Sequence, residues 1–249
     1  MGKKLIYVIY VILFQFSLTN TMAICNSRDS GSIRKDSGIY IAFNYLASIP
    51  LGYFRSTIYS GAFAMNGNGL NIEIEHPVKP GWLGLTFESG YYINPFNFNA
   101  LNTEFNSIPQ LGVPEYTLSN ASPYKEIPIL AGTFLKTRYK KFSFQFMSMV
   151  GIDITYIASI YAIQPRTKNI LILEPLNNTL LSQPLIIPFF SYNLEGSIQY
   201  PIDKYISVYI NIGYFNDFNF YYDYFSNYYY YFPLSQLHIG IGMSYHFNK

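Results

Sequence analysis

Residues 142–156 read FSFQFMSMVGIDITY, and successive side chains alternate in kind. Phe142, Phe144, Phe146, Val150, Ile152, Ile154 and Tyr156 share one parity, while Ser143, Gln145, Met147, Gly151, Asp153 and Thr155 share the other. A period of two marks a β-strand whose faces meet different surroundings, and helical spacing does not fit the window. The pattern returns at the end of the chain, where Leu237, Ile239, Ile241, Met243, Tyr245 and Phe247 alternate with His238, Gly240, Gly242, Ser244 and His246. It returns again where Ile206, Val208, Ile210, Ile212 and Tyr214 alternate with Ser207, Tyr209, Asn211 and Gly213.

Working outward, eight such strands fall at about 38–48, 69–77, 81–93, 125–139, 141–158, 186–201, 204–216 and 235–247. Three connections are tight: Val78-Lys79-Pro80 with Gly81, the Lys140 turn, and Ile202-Asp203-Lys204. Four are long, at about 49–68, 94–124, 159–185 and 217–234. Short and long connections alternate, as they do in a meander with one rim of turns and one rim of loops. Asn66-Gly67-Asn68-Gly69 is a strong turn signal, so Thr57–Met65 can pair with Leu70–His76. We read this as the second strand extending outward, with an additional pair making ten strands as the alternative.

Which face is wet decides the class. Half of the 249 residues are hydrophobic and 19% are aromatic, whereas only 12% are charged, about half the usual share for a soluble domain. One parity is continuously large and apolar, and the other is small, polar or charged. A bilayer takes the first and a narrow polar lumen takes the second. The expected fold is therefore all-β, an eight-stranded antiparallel up-and-down transmembrane β-barrel with short periplasmic turns and long extracellular loops. Tyr45, Tyr91, Tyr139, Tyr156, Tyr200, Tyr214, Tyr245 and Phe247 suit interfacial aromatic girdles. The alternative is a soluble secreted ligand-binding barrel with a dry apolar interior.

The start of the chain reads as an address. Residues 1–23 carry Lys3 and Lys4, the apolar run Leu5–Leu18, and Thr21-Met22-Ala23 as a cleavage site, the layout of a signal peptide. A spanning helix is the competing reading, but the run falls short of the ~20 apolar residues a bilayer needs. Residues 24–37 are then a short periplasmic segment and 38–249 the outer-membrane barrel. Without Lys3 and Lys4 the chain carries 14 basic and 14 acidic residues, which excludes a generic basic nucleic-acid binder. A single cysteine, Cys25, excludes a disulfide framework within the chain. It follows Ile24 rather than the small residue a lipid-attachment site wants.

If the apolar parity faces lipid, the inward set contains Glu73, Glu75, Glu88, Glu126, Lys136, Arg138, Asp153 and Glu195. An eight-stranded barrel is just wide enough to be filled by its own side chains. The expectation is a lumen plugged by charged side chains, with Arg138 and Lys136 paired to acids on neighbouring strands; a narrow passive channel for ions or small solutes is the alternative. No sequence spacing suggests a metal, and no cofactor is expected. Ser244 and His246 share a face with His238, but residues two apart on a strand sit roughly 6–7 Å apart, poor geometry for a nucleophile and its base. No enzymatic activity is expected. Among the outer loops, Phe220–Phe232 reads FYYDYFSNYYYYF. Tyr221, Tyr222, Tyr224, Tyr228, Tyr229, Tyr230 and Tyr231 give it large contact area at little entropic cost, which suits a surface protein or glycan partner. The competing reading is that these residues extend the seventh and eighth strands. Loop 94–124 looks irregular, and the apolar stretch 170–188 is placed over the mouth or against a partner barrel.

From residue 38 onward the chain resembles the outer-membrane β-barrel domain family of Bacteroidota, which includes PorT-like proteins. Tyr124-Lys125-Glu126-Ile127-Pro128-Ile129-Leu130 looks like that family's Tyr-x-x-Ile-Pro-(apolar)-Leu strand. Glu195-Gly196, Tyr200-Pro201 and the turn ending at Lys204 are similar to its later hairpin. Gly240–Phe247 is similar to the terminal strand of outer-membrane barrels, although Asn248 and Lys249 follow the aromatic. The resemblance implies outer-membrane lipid as the surroundings and recognition of the last strand by the barrel-insertion machinery. Family members share no single activity. The expected role is structural or surface-interacting, accessory to secretion or adhesion.

Overall fold

The computed structural model describes residues 38–57, 62–79, 82–107, 117–156, 160–163, 170–173, 186–218, 220–223, 228–231 and 233–247. The expected signal peptide, the 24–37 segment with Cys25, and the last two residues lie outside them. In chain order the strands are β1 (Ile39–Leu51), β2 (Gly67–Lys79), β3 (Leu83–Asn94), β4 (Thr117–Ala121), β5 (Tyr124–Tyr139), β6 (Phe142–Tyr156), β7 (Ile160–Ile163), β8 (Ile170–Leu173), β9 (Ile186–Pro201), β10 (Ile206–Phe218), β11 (Phe220–Asp223), β12 (Tyr228–Tyr231) and β13 (Leu234–Phe247). A one-turn helix, Gly52–Arg55, follows β1, and a ten-residue helix, Phe98–Ser107, follows β3.

Eight strands close into a barrel in the order β1-β13-β10-β9-β6-β5-β3-β2. Every neighbour is antiparallel, and the first strand zips to the last from Ile39↔Phe247 to Leu51↔Ser235. The wall is an up-and-down meander of eight strands, not ten. Closure leaves no bare edge, so each backbone group in the wall finds a partner without water. One local exception has a cause. The β3–β5 ladder runs in one register from Leu83↔Leu135 to Asn94↔Tyr124 but skips the pairs at Gly90 and Tyr91. The residue that would face Gly90 is Pro128, which has no N–H to donate.

The alternation in the sequence becomes the two sides of this wall. Phe43, Ile72, Phe87, Ile152, Ile198, Ile210, Ile241 and their like are exposed on the outside, while Glu73, Glu88, Asp153 and Glu195 are buried inside. Water facing so much unbroken Ile and Phe is untenable for a soluble barrel, so the outer wall is a surface for hydrocarbon. Tyr45, Tyr91, Tyr139, Tyr200, Tyr245 and Phe247 are exposed on it, and Tyr156 and Tyr214 are half-buried.

The inside is less polar than parity suggests. Leu130, Phe134, Met147, Met149 and Phe215 form one buried cluster in the lumen. A second cluster closes the long-loop end: Phe54, Phe63, Phe96, Leu101, Tyr124, Phe189 and Leu234 pack together. Phe54 meets Tyr124 edge-on, with ring centroids 5.2 Å apart, and the Tyr124 hydroxyl donates to the Ala62 carbonyl at 2.8 Å. Ala64 and Phe96 form an isolated bridge, and the Met65 N–H donates to the Pro95 carbonyl at 2.7 Å. Phe54 and residues 62–65 thus belong to a cap, and for the described part of Thr57–Met65 this corrects the expected outward extension of the second strand. The apolar Phe54 and Phe63 gain more by covering the lumen than by extending a ladder into solvent. Loop 94–124, expected to be irregular, contains the Phe98–Ser107 helix and β4. The following loop contributes β7 and β8, which join β4 in a three-stranded sheet.

Candidate functional site

Inside the wall, carboxylates gather in two tiers. The central tier is Glu73, Glu88 and Glu195, each about midway along its strand. Glu73 and Glu88 are direct cross-strand partners, a pairing of like charges that is normally destabilising. Glu195 comes from β9, on the far side of the closed sheet from β2. The three nevertheless bring oxygens within 4.8 Å of one another. Neutral donors serve them. The amides of Asn44 and Asn71 (3.4 Å) donate to Glu73, and Tyr92 (2.9 Å) and Asn193 (3.2 Å) donate to Glu88. Asn211 donates to Glu195 at 2.8 Å. Buried carboxylates need such donors, because losing hydration without replacement costs several kcal/mol, of order ~3–5 for an orphaned charge.

The outer tier is Glu126, Asp153 and Asp217, on β5, β6 and β10, and it too gathers oxygens within 4.8 Å. Gln236 donates to Glu126, Thr155 to Asp153 and Ser191 to Asp217. One oxygen of each carboxylate, Glu126 Oε1, Asp153 Oδ1 and Asp217 Oδ2, is buried and meets no hydrogen-bond donor among the described residues. Gln236 ties this tier to the rim, since Ser48 donates to its Oε1 and Ser48 also bonds Asn94. Between the tiers, the His238 ring lies 5.4 Å from Phe215 and 4.5 Å from Tyr92, its Nε2 3.3 Å from Gln236 Oε1.

The acids of the expected charge network are brought together. Glu73, Glu88, Glu126, Asp153 and Glu195 converge as described, and Glu75 is buried lower down, opposite Tyr40. Arg138 does not join them. It is exposed at the tight-turn end, which corrects its expected pairing with acids on neighbouring strands. The reason is stagger: β3 begins at Leu83, opposite Leu135, and the last contact on that side is the Lys136 N–H donating to the Trp82 carbonyl at 2.8 Å, so from Thr137 onward β5 runs past the described residues of its neighbour. Residue parity there no longer points into a lumen. Lys136 is half-buried with Nζ 4.5 Å from the Tyr40 ring centroid, and Tyr40 stacks on His246 at 4.2 Å. Ser244 is buried on the inner face of β13.

Sequence reading missed Asp217, which it assigned to a loop. Continuing the β10 parity from Ser207 and Asn211 past Gly213 and Phe215 finds it. The donor set of inward Asn and Gln residues was likewise visible as polar parity but not as carboxylate partners. In the Tyr-rich loop, β11 and β12 pair as Phe220↔Tyr231, Tyr221↔Tyr230, Tyr222↔Tyr229 and Asp223↔Tyr228. The loop is therefore a β-ribbon above the barrel strands, while Tyr224 lies outside the described residues.

No known family profile matches the chain, and neither does any curated protein. Among solved structures, Neisserial surface protein A is similar with a TM-score of 0.47 and 8% identity, covering 84% of this chain and 97% of that one. Ail, the attachment invasion locus protein of Yersinia pestis, is similar at 0.42 and 9%, covering 84% and 97%. A major outer membrane protein from Thermus thermophilus is similar at 0.42 and 13%, covering 84% and 99%.

Proposed function

We propose that this chain is an outer-membrane barrel with a closed lumen and a structural or surface-interaction role. The observation that carries the reading is the double occlusion of the lumen. An aromatic cap around Phe54, Phe63, Phe96 and Tyr124 covers the long-loop end. Below it the bore holds Tyr92, Phe134, Phe215 and the hydrogen-bonded carboxylate tiers. Such a barrel offers lipid a wall and the exterior a rigid platform for loops, the usual seat of recognition. The paired Tyr ribbon of β11 and β12 is the surface we assign to a protein or glycan partner, in a role accessory to secretion or adhesion. The last strand, ending at Phe247, is the segment we assign to the insertion machinery. The likeness of Tyr124–Leu130 to the Bacteroidota family belongs to this same reading.

Two measurements test it together. Cell fractionation with a heat-modifiability gel should find the chain in the outer membrane, migrating fast until boiled. Purified barrel in planar bilayers should give no steady conductance. A steady conductance that disappears with Glu88→Ala would replace this reading with the narrow channel.

A further inference from the structure

The two carboxylate tiers differ in how well the protein satisfies them. Five side-chain donors, four amides and the Tyr92 phenol, serve the central tier. Three serve the outer tier, and each of its carboxylates keeps one fully buried oxygen that no donor among the described residues reaches. A buried, unmet acceptor oxygen is costly, by about 1–3 kcal/mol and more for a charged group. Here there are three, one on each of three strands, and the carboxylates that carry them bring oxygens within 4.8 Å of one another.

We propose that Glu126, Asp153 and Asp217 form a binding site for a calcium ion beneath the outer cap. Calcium takes oxygen ligands at about 2.3–2.6 Å in flexible geometry, so oxygens around one ion lie at most about 5 Å apart. The 4.8 Å limit within the tier meets that condition. Three carboxylates, each able to bind through one oxygen or two, supply from three to six ligands. Magnesium, smaller and reluctant to shed water, usually keeps several waters and takes one or two carboxylates, fewer than the three gathered here. The ion neutralises two of the three charges, leaving the third to Gln236, Thr155 and Ser191. The competing occupant is a proton shared among carboxylates whose oxygens lie within 4.8 Å of one another.

The test uses the full folded chain in detergent, stripped with EDTA and titrated with calcium chloride by calorimetry. Heat-modifiability verifies that each variant is folded. Wild type should take up one equivalent of calcium saturably and unfold at a higher temperature with calcium than with EDTA. Asp217→Asn should weaken uptake by at least about tenfold, and Asp153→Asn provides the same reading should the first variant not fold. Glu195→Gln, in the central tier, should bind like wild type. Absence of saturable uptake by the wild type would overturn the site in favour of shared protons. Uptake that survives both aspartate changes, or that Glu195→Gln abolishes, would overturn it as well. A conducting barrel would contradict the proposed function while leaving this result standing.

Discussion

Ile210→Arg, paired with Ile202→Arg, measures what the outer wall touches. The two isoleucines are almost equally exposed, at 62% and 61%, but differ in depth. Ile210 pairs with Ile241 and Ile198 in the middle of the wall, whereas Ile202 lies in the tight turn between β9 and β10. Along β10 the lower aromatic level is marked by Ile206 opposite Tyr245 and the upper by Tyr214. Eight residues at a rise of about 3.3 Å, tilted about 40°, separate those levels by roughly 20 Å, near the height of an apolar band in such barrels. Ile210 is halfway between them. An arginine at the midplane costs about 2–4 kcal/mol, and near an interface about 0–1. In water, both exposed substitutions would stay within about 0.5 kcal/mol. Equilibrium guanidinium unfolding of the barrel folded into phospholipid vesicles reads the difference directly. The membrane assignment predicts a large loss for Ile210→Arg and almost none for Ile202→Arg. Equal losses, or no loss at Ile210, would refute it.

Two further outcomes follow from local geometry. A side chain at Gly240 would place its Cβ 2.2 Å from Leu46 Cδ2 and 2.3 Å from Asn211 Oδ1, whereas a Cβ at Gly196 meets nothing within 4 Å. Gly240→Val should therefore cost about 1–3 kcal/mol by overpacking in the same unfolding assay, while Gly196→Ala should not destabilise. In the exposed turn, the Asp203 carboxylate accepts from the N–H groups of Tyr205 at 2.6 Å and Ile206 at 2.7 Å, and these bonds hold its pKa below the usual aspartate value. A depressed carboxyl contributes stability that is present above its unfolded pKa and lost as pH falls through the folded one. Hydrogen-exchange protection of the Tyr205 and Ile206 amides should fall over that acid range in the wild type, and Asp203→Ala should abolish this dependence.

The barrel was legible because its signal is local. Each strand carries its own alternation, and the order of short and long connections supplies the meander without any long-range information. What parity could not supply is stagger. Arg138 lies on the inward parity of β5, yet the ladder to β3 begins opposite Leu135, and Arg138 beyond it is exposed. The same limit hid Asp217, because the end of β10 is set by pairing with Ser191 and Leu234 rather than by a change in its own sequence. The cap was illegible for a different reason. Phe54, Phe63, Phe96 and Tyr124 lie in separate loops and strand ends and become one cluster only after closure. The outer carboxylate tier shares that cause, since its members come from three strands and show no ligand spacing along the chain.

The choice of donors explains how the two carboxylate tiers differ from a salt-bridged plug. A lysine or arginine opposite each acid would have neutralised charge, but its long side chain must be accommodated in a bore already occupied by Tyr92, Phe134 and Met147. An asparagine is short and donates without adding charge. Asn44, Asn193 and Asn211 can therefore reach Glu73, Glu88 and Glu195 across strands while leaving room for the aromatic fill. Amides stabilise a buried carboxylate but do not cancel it. Like charges held as register partners, such as Glu73 and Glu88, still repel through a medium that screens poorly. A proton or small ion entering the bore would relieve that repulsion, and the calcium proposed at the outer tier would do so where side-chain donors are fewest.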